Sequence, residues 1–513
     1  MKYLRLLAPL AAFACAWPAR ADVKLPAIFS EHMVLQRDVA APVWGWADPG
    51  EEVTVEAAGA GLSVGEAKST KTGADGKWMV RLGALKAGDS LTLTIKGRNT
   101  LTIRDVLVGE VWLCSGQSNM TMPVQWLSDF EHVKAAADFP QIRMFVEGSA
   151  PAAVPQQECK GTWRVCTPAS VGGFSATAYF FGRDVHQALH LPVGLIHSSV
   201  QGTAIEAWTS LEAQKDKPEL QPILERWDKM VTEWNSGKTQ ADYDQRLAAW
   251  KEASEKAKLE GKPELRAIYK PFDPNLHALR PANLFNGKIA PLIPYAIRGA
   301  IWYQGETGGG DFYGLQLETL IKDWRARWGE EFPFAWVQLP NFGKLQEQPV
   351  ESGSAWLGVR EGMLKTLALP KTGMAIAIDL GQAENLHPQN KQDVGKRLAL
   401  WALAKVYDRK IASWSGPLPS GHQIEGGSVL ISFAHADGGL IAKDGELKGF
   451  AIAGADRKWV KATAKIEGGR VIVSSPEVKE PAAVRYGWAN NPDCNLYNGA
   501  GLPASPFRTD DWR

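Results

Sequence analysis

The chain has 513 residues, with 57 Lys and Arg set against 56 Asp and Glu, and a net charge of +1 at pH 7. That balance gives no support to nucleic-acid binding, and the length exceeds what one hydrophobic core usually holds, so two or three domains are expected. Beyond the N-terminus no apolar run is long enough to read as a membrane span.

Residues 1–21, MKYLRLLAPLAAFACAWPARA, join Lys2 and Arg5 to a short Leu/Ala-rich stretch with a small-x-small ending at Ala19 and Ala21. This pattern reads as a cleaved secretory signal and predicts a soluble exported protein, periplasmic or secreted. Cleavage would remove Lys2, Arg5 and Arg20 and no acid, moving the net charge from +1 to −2. It would also leave Cys114, Cys159, Cys166 and Cys494; in an oxidising compartment Cys159 and Cys166, which flank Gly161, are placed to close a small loop. With no CxxC or HExxH pattern, neither a metal nor another cofactor is expected.

Residues 22–105 read as short β segments (HMVLQRD, APVWGWA, EEVTVEAA, GKWMVRL, DSLTLTIKG) between Gly, Pro and Asp turns, the spacing of a β-sandwich. From 106 to 411 buried apolar strands alternate with helical stretches, which predicts an α/β catalytic domain around a mainly parallel five-stranded sheet. Its strands are RDVLVGEVWL, LPVGLIHSS, YAIRGAIWYQ, FPFAWVQLP and GMAIAIDLG. A charged helical excursion near 211–266 interrupts the domain and needs no functional reading. Residues 412–513 return to short β segments and form a second β region.

Parallel strands gather the segments that follow them on one edge of the sheet, where ligands of open α/β sheets bind. The first of these segments, VWLCSGQSNM, presents Ser118 on a glycine turn, with helical apolar spacing in the nineteen residues from Asn119 onward. Ser118 is therefore a candidate nucleophile, the alternative being an ordinary turn and N-cap serine. The last segment carries His387, placed by Pro388 on a loop just before a helix, as the candidate base. Glu384, three residues earlier, and Asp379, at the end of the fifth strand, are the candidates for the acid that orients it. The backbone N–H groups of Ser118 and Gly202 and the side-chain amide of Gln304 are the candidate oxyanion donors. Glu306 either accepts from substrate hydroxyls or ties down the Ser118 loop. Trp208 and Trp302, flanking these segments, are the candidate aromatic walls for a sugar among 21 tryptophans.

These residues resemble the sialate O-acetylesterase family of the SGNH-hydrolase group. LCSGQSNM, RPANLFNGKIAPLIPYAIRGAIWYQGE, IDLG, HPQNK and NLYNGAGLPASPFRTDDW carry the resemblance, in the family order and over nearly the whole chain after residue 21. It implies a three-layer α/β/α hydrolase core with β accessory regions, and metal-free removal of acetyl groups from carbohydrate hydroxyls through an acetyl-serine intermediate. Carried across, the nucleophile falls on Ser118, the base on His387 and the oxyanion donors on Gly202 and Gln304. Gly308 stands where many relatives have Asn, and Glu384 stands where the general SGNH pattern has Asp, which leaves a Ser/His dyad open. The O-acetylated glycan is either a hemicellulose such as xylan or xyloglucan, or 9-O-acetyl sialic acid. Sialate would favour a basic pocket, for which Arg298, Lys344 and Arg360 are candidates, whereas a hemicellulose would favour a neutral Trp-lined groove. Two other classes compete: a carbohydrate-binding protein without catalysis, and a glycoside hydrolase using paired carboxylates such as Glu306 and Asp379.

Overall fold

The computed structural model describes residues 22–59, 67–88 and 90–512; the expected signal segment, 1–21, lies outside the described residues. Seven strands build the sheet that carries the site: β1 (Thr100–Gly116), β2 (Phe139–Val146), β3 (Trp163–Cys166), β4 (Val193–Ser199), β5 (Gly299–Tyr303), β6 (Phe334–Gln338) and β7 (Thr372–Ile376). Their order is β7-β6-β5-β1-β4-β2-β3, parallel throughout except at the β2–β3 edge. The expectation of five parallel strands is thus short by one. β2 has only Ile142–Phe145 buried, behind Pro140 and Gln141, so no continuous apolar run announces it.

The other parallel strands are legible because both faces of the sheet are covered, which makes every position apolar. Val111, Leu113, Ala300, Trp302, Phe334 and Trp336 point to one face, and Trp112, Cys114, Ile301, Tyr303, Ala335 and Val337 to the other, the period-two alternation of a strand. Helices α3 (Tyr313–Trp328) and α4 (Ala355–Thr366) cover the first face, and α2 (Ala176–Leu189) and α5 (Lys391–Lys405) the second, after a single turn α1 (Ser118–Thr121). Each fully buried Leu or Phe in these layers contributes roughly 1.5–3 kcal/mol.

β1 belongs to two regions. Its first residues pair antiparallel with Leu91–Lys96, and its last seven lie parallel to β4. The register shifts between the partners of Leu91 and Leu93, and Asp105 takes a φ of 53° there. The Asp105 carboxylate accepts from Arg143 at 2.6 and 3.0 Å, and its Oδ2 lies 2.6 Å from His32 Nδ1, fixing the corner. The boundary expected at 105/106 is therefore a kink within one strand.

The described N-terminal strands pair antiparallel except Val34–Gln36, which lies parallel to β1, and residues 418–508 form two four-stranded antiparallel sheets and one two-stranded one. The charged excursion contains helices Gln221–Asn235 and Lys238–Leu259; in the second only Ala257 is buried, as a solvated helix requires. All four described cysteines are free, which corrects the expected Cys159–Cys166 loop. Cys159 packs into the core on the first face of the sheet and Cys166 into that on the second, and burial pushes both thiols up to about 12. Among the described residues no helix is long and apolar enough to cross a membrane.

Candidate active site

β1 ends at Gly116, whose φ is 139°. A Cβ there would lie 2.1 Å from the Tyr303 carbonyl oxygen, so only glycine lets β1 and β5 finish this close together. Gln117 N–H donates to that same carbonyl at 2.9 Å, and the next residue, Ser118, opens α1. Ser118 is 8% exposed, and among the described residues its hydroxyl makes no hydrogen bond. The long helix expected after it is broken: Pro123 has no N–H to give and forces Met122 to ψ 114°. A 3₁₀ turn at Val124–Trp126 and a short helix at Phe130–Ala135 follow instead. One turn carries little macrodipole, so what α1 offers an anion at Ser118 is its free first-turn N–H groups.

Asn119, which the sequence reading passed over, is the hub beside Ser118. Its Nδ2 donates to Glu306 Oε1 at 2.5 Å and to the Leu386 carbonyl at 3.1 Å, while its Oδ1 accepts from Lys391 Nζ at 2.6 Å. Lys391 is fully buried, donates also to the Pro388 carbonyl at 2.7 Å, and lies 5.4 Å over the Tyr303 ring. Burial pushes its ammonium down to about 7, against the pull of the nearby Glu306 charge. The residue after the candidate nucleophile is thereby bonded to the residue before the candidate base and, through Lys391, to the one after it. Glu306 ties down the Ser118 loop, the second of its two expected roles. Its Oε2 is buried without a partner, and desolvation raises its carboxyl above the usual range.

His387 sits on the loop between β7 and α5, where its own N–H donates to Asn385 Oδ1 at 2.9 Å. Its Nε2 is buried and unpartnered. Burial, reinforced by the Lys391 cation, holds the imidazole below its ordinary range, so it is neutral and able to accept a proton near neutrality. Neither expected acid is bonded to it among the described residues. Asp379 is committed to Arg397, at 2.6 and 2.8 Å, and to the Tyr497 hydroxyl at 3.2 Å. Glu384 is exposed to solvent.

Three further expectations are corrected. The Gln304 amide is spent: Nε2 donates to Gln117 Oε1, Thr203 O and Thr307 O at 3.1, 3.1 and 2.8 Å, and Oε1 accepts from Tyr313. It locks three loops together and has no donor left for an oxyanion. Trp208 and Trp302 are fully buried against each other, 6.1 Å between ring centroids, and face no solvent. Arg298 bonds Glu110 at the opposite end of β5 from the site, and Arg360 is buried with four backbone carbonyls around it. Gly202, by contrast, is exposed at φ 65° with open space around it. At Gly308, φ 72°, a Cβ would come 2.9 Å from that of Ala204, so the Asn alternative would be strained here.

Comparison with known proteins defines the class as esterases acting on acetyl groups. A carbohydrate acetylesterase of known structure from Xanthomonas citri is 36% identical, with a TM-score of 0.79, and the match covers 96% of this chain and 100% of that one. The sialate O-acetylesterases of Mus musculus and Homo sapiens are 29% and 28% identical; each match covers 93% of this chain, and 92% and 90% of theirs. No known family profile matches the chain. The chain belongs with the carbohydrate acetylesterases, is a homologue of the sialate O-acetylesterases, and is a carboxylic ester hydrolase.

Proposed function

We propose that the chain is an exported serine O-acetylesterase of the SGNH-hydrolase type that removes acetyl groups from neutral glycans, hemicelluloses such as xylan or xyloglucan, through Ser118 and His387. The observation that carries the mechanism is the unpartnered, buried His387 Nε2 on a loop bonded through Asn119 to the nucleophile's own turn. The preference for a neutral glycan rests on the placement of the cations: Arg298 bonds Glu110 at the opposite end of β5 and Arg360 is buried among carbonyls, leaving exposed Lys344 alone of the three candidates for a sialate carboxylate.

His387 Nε2 takes the Ser118 proton as Oγ bonds to the acetyl carbonyl carbon, and the carbonyl oxygen becomes an anion held by the N–H groups of Ser118 and Gly202. The intermediate collapses, the sugar oxygen leaves with the proton from His387, and an acetyl-serine remains. Water then loses a proton to His387 and attacks the acetyl carbon; acetate departs, and Ser118 Oγ recovers the proton. In this reading the Leu386 and Pro388 carbonyls, gripped by Asn119 and Lys391, orient the histidine in place of a carboxylate.

The test is acetate release by the wild type beside Ser118→Ala on acetylated xylan, acetylated xyloglucan, 9-O-acetyl sialic acid and a small acetyl ester. Release from the two hemicelluloses that vanishes in the variant is expected. Release from the sialic acid alone overturns the glycan assignment, and release that survives Ser118→Ala overturns the mechanism.

A further inference from the structure

Trp126 is 53% exposed, and it is the only tryptophan among the described residues that faces solvent to that degree. Exposed indole is unusual in a chain that buries Trp112, Trp208, Trp302, Trp324, Trp336 and Trp401 completely. Among the described residues the Trp126 ring stacks on no other ring, lies under no cation and donates no hydrogen bond from Nε1. Its position is fixed all the same. Pro123 ends α1 and throws the chain into the 3₁₀ turn Val124–Trp126, whose neighbours Val124 and Leu127 are buried and anchor it. Two residues on, Ser128 N–H donates to Gln389 Oε1 at 3.1 Å, in the loop of His387. The turn thus spans from the nucleophile's helix to the loop of the base, with its indole outward.

We infer that Trp126 is the sugar platform of this esterase: its apolar face stacks on a ring of the neutral glycan whose acetyl group enters at Ser118. The inference rests on the proposed function and deepens it. An indole face suits the C–H face of a pyranose, Nε1 can donate to a ring hydroxyl, and a rigid side chain loses little freedom on binding. Placement outside the nucleophile–base pair means that the platform holds the glycan and takes no part in the chemistry.

The experiment compares wild type, Trp126→Ala, Trp126→Phe and Met79→Ala on an acetylated xylo-oligosaccharide and on a small acetyl ester lacking sugar. Met79 is 41% exposed on the N-terminal strand Lys77–Arg81 and serves as the control. Trp126→Ala is expected to raise KM for the oligosaccharide about tenfold with kcat within about twofold, to leave the small ester unchanged, and to be partly rescued by Phe. Met79→Ala should change neither. Equal losses on both substrates, or no change on the oligosaccharide, overturn the platform while the esterase reading stands. A wild type active on the small ester alone overturns both the glycan assignment and the platform.

Discussion

Two serine–histidine pairs share the carboxyl edge of one sheet, and they are built in opposite ways. His197 lies on β4, 6% exposed, with Nε2 already 2.6 Å from Ser199 Oγ, which in turn lies 2.7 Å from Thr121 Oγ1. Burial, with help from the Lys288 cation, pushes that imidazole down to about 3. His387 lies on a loop and Ser118 on the first turn of α1, with no hydrogen bond between them, and His387 Nε2 is left open. The closed pair has committed its Nε2 and its hydroxyl to each other, its Nδ1 is buried without a partner as well, and so weak a base gains little by taking a proton at neutral pH. The open pair keeps the unmet demand that a substrate or a water can satisfy. In the proposed reading a formed Ser–His hydrogen bond is therefore a poor guide to catalysis, and an open Nε2 on a half-buried loop histidine is a better one than an unpartnered nitrogen alone, since His197 Nδ1 is unpartnered too.

The comparison breaks most sharply at the nucleophile. Ser118→Ala is expected to cut kcat by about 10⁴-fold, with circular dichroism unchanged, whereas Ser199→Ala should cost less than about threefold on the same ester. Were the two effects reversed, the closed pair would be the catalytic one. Next comes Lys391→Met, which frees Asn119 and the Pro388 carbonyl; a misplacement of about 1 Å between nucleophile and base is worth roughly 100-fold in kcat, with KM little changed. The pH profile sharpens the contrast further. A neutral imidazole is the active form, so activity rises with pH through the His387 pKa, and the acid limb of kcat/KM should fall below the unperturbed value of about 6.5. Removing the Lys391 charge should move that limb upward, and His197→Gln should leave it in place. The smallest effect is expected from Glu384→Gln, within about twofold, because the side chain lies in solvent and touches no member of the pair.

The sequence reading reaches as far as local pattern does. Strands buried on both faces announce themselves by unbroken apolar runs, and Gly116, Ser118 and His387 by their places at strand ends; β2, half exposed behind a proline, does not. Burial of tryptophan is invisible in a string, because an indole at a strand end looks the same whether it faces solvent or, like Trp302, the core. A tie from Glu306 to the Ser118 loop is one of the two roles the sequence suggests for it, but the Asn119–Lys391 link at its centre is equally hidden. The two residues are separated by 272 positions, and nothing local marks a lysine whose partner is an asparagine side chain. A lysine on the first turn of a helix, where the dipole opposes a cation, was one available signal. Gln304 misled for a related reason: an uncharged amide at a strand end fits an oxyanion hole, and only the three-dimensional count of its partners shows it occupied.

The kinked strand β1 couples stability across regions that look separate along the chain. Its amides before Asp105 bond into the N-terminal sheet, Leu107–Gly109 still lie parallel to the N-terminal strand Val34–Gln36, and Glu110–Gly116 run into the layer under Ser118. Amide exchange at residues 101–103 and at 111–115 should therefore slow and quicken together, because fraying one end of a continuous strand loosens the ladder at the other. The N-terminal β region is in this sense a clamp on the strand that ends beside Ser118, and loss of its fold would be felt at that serine without any contact between the two.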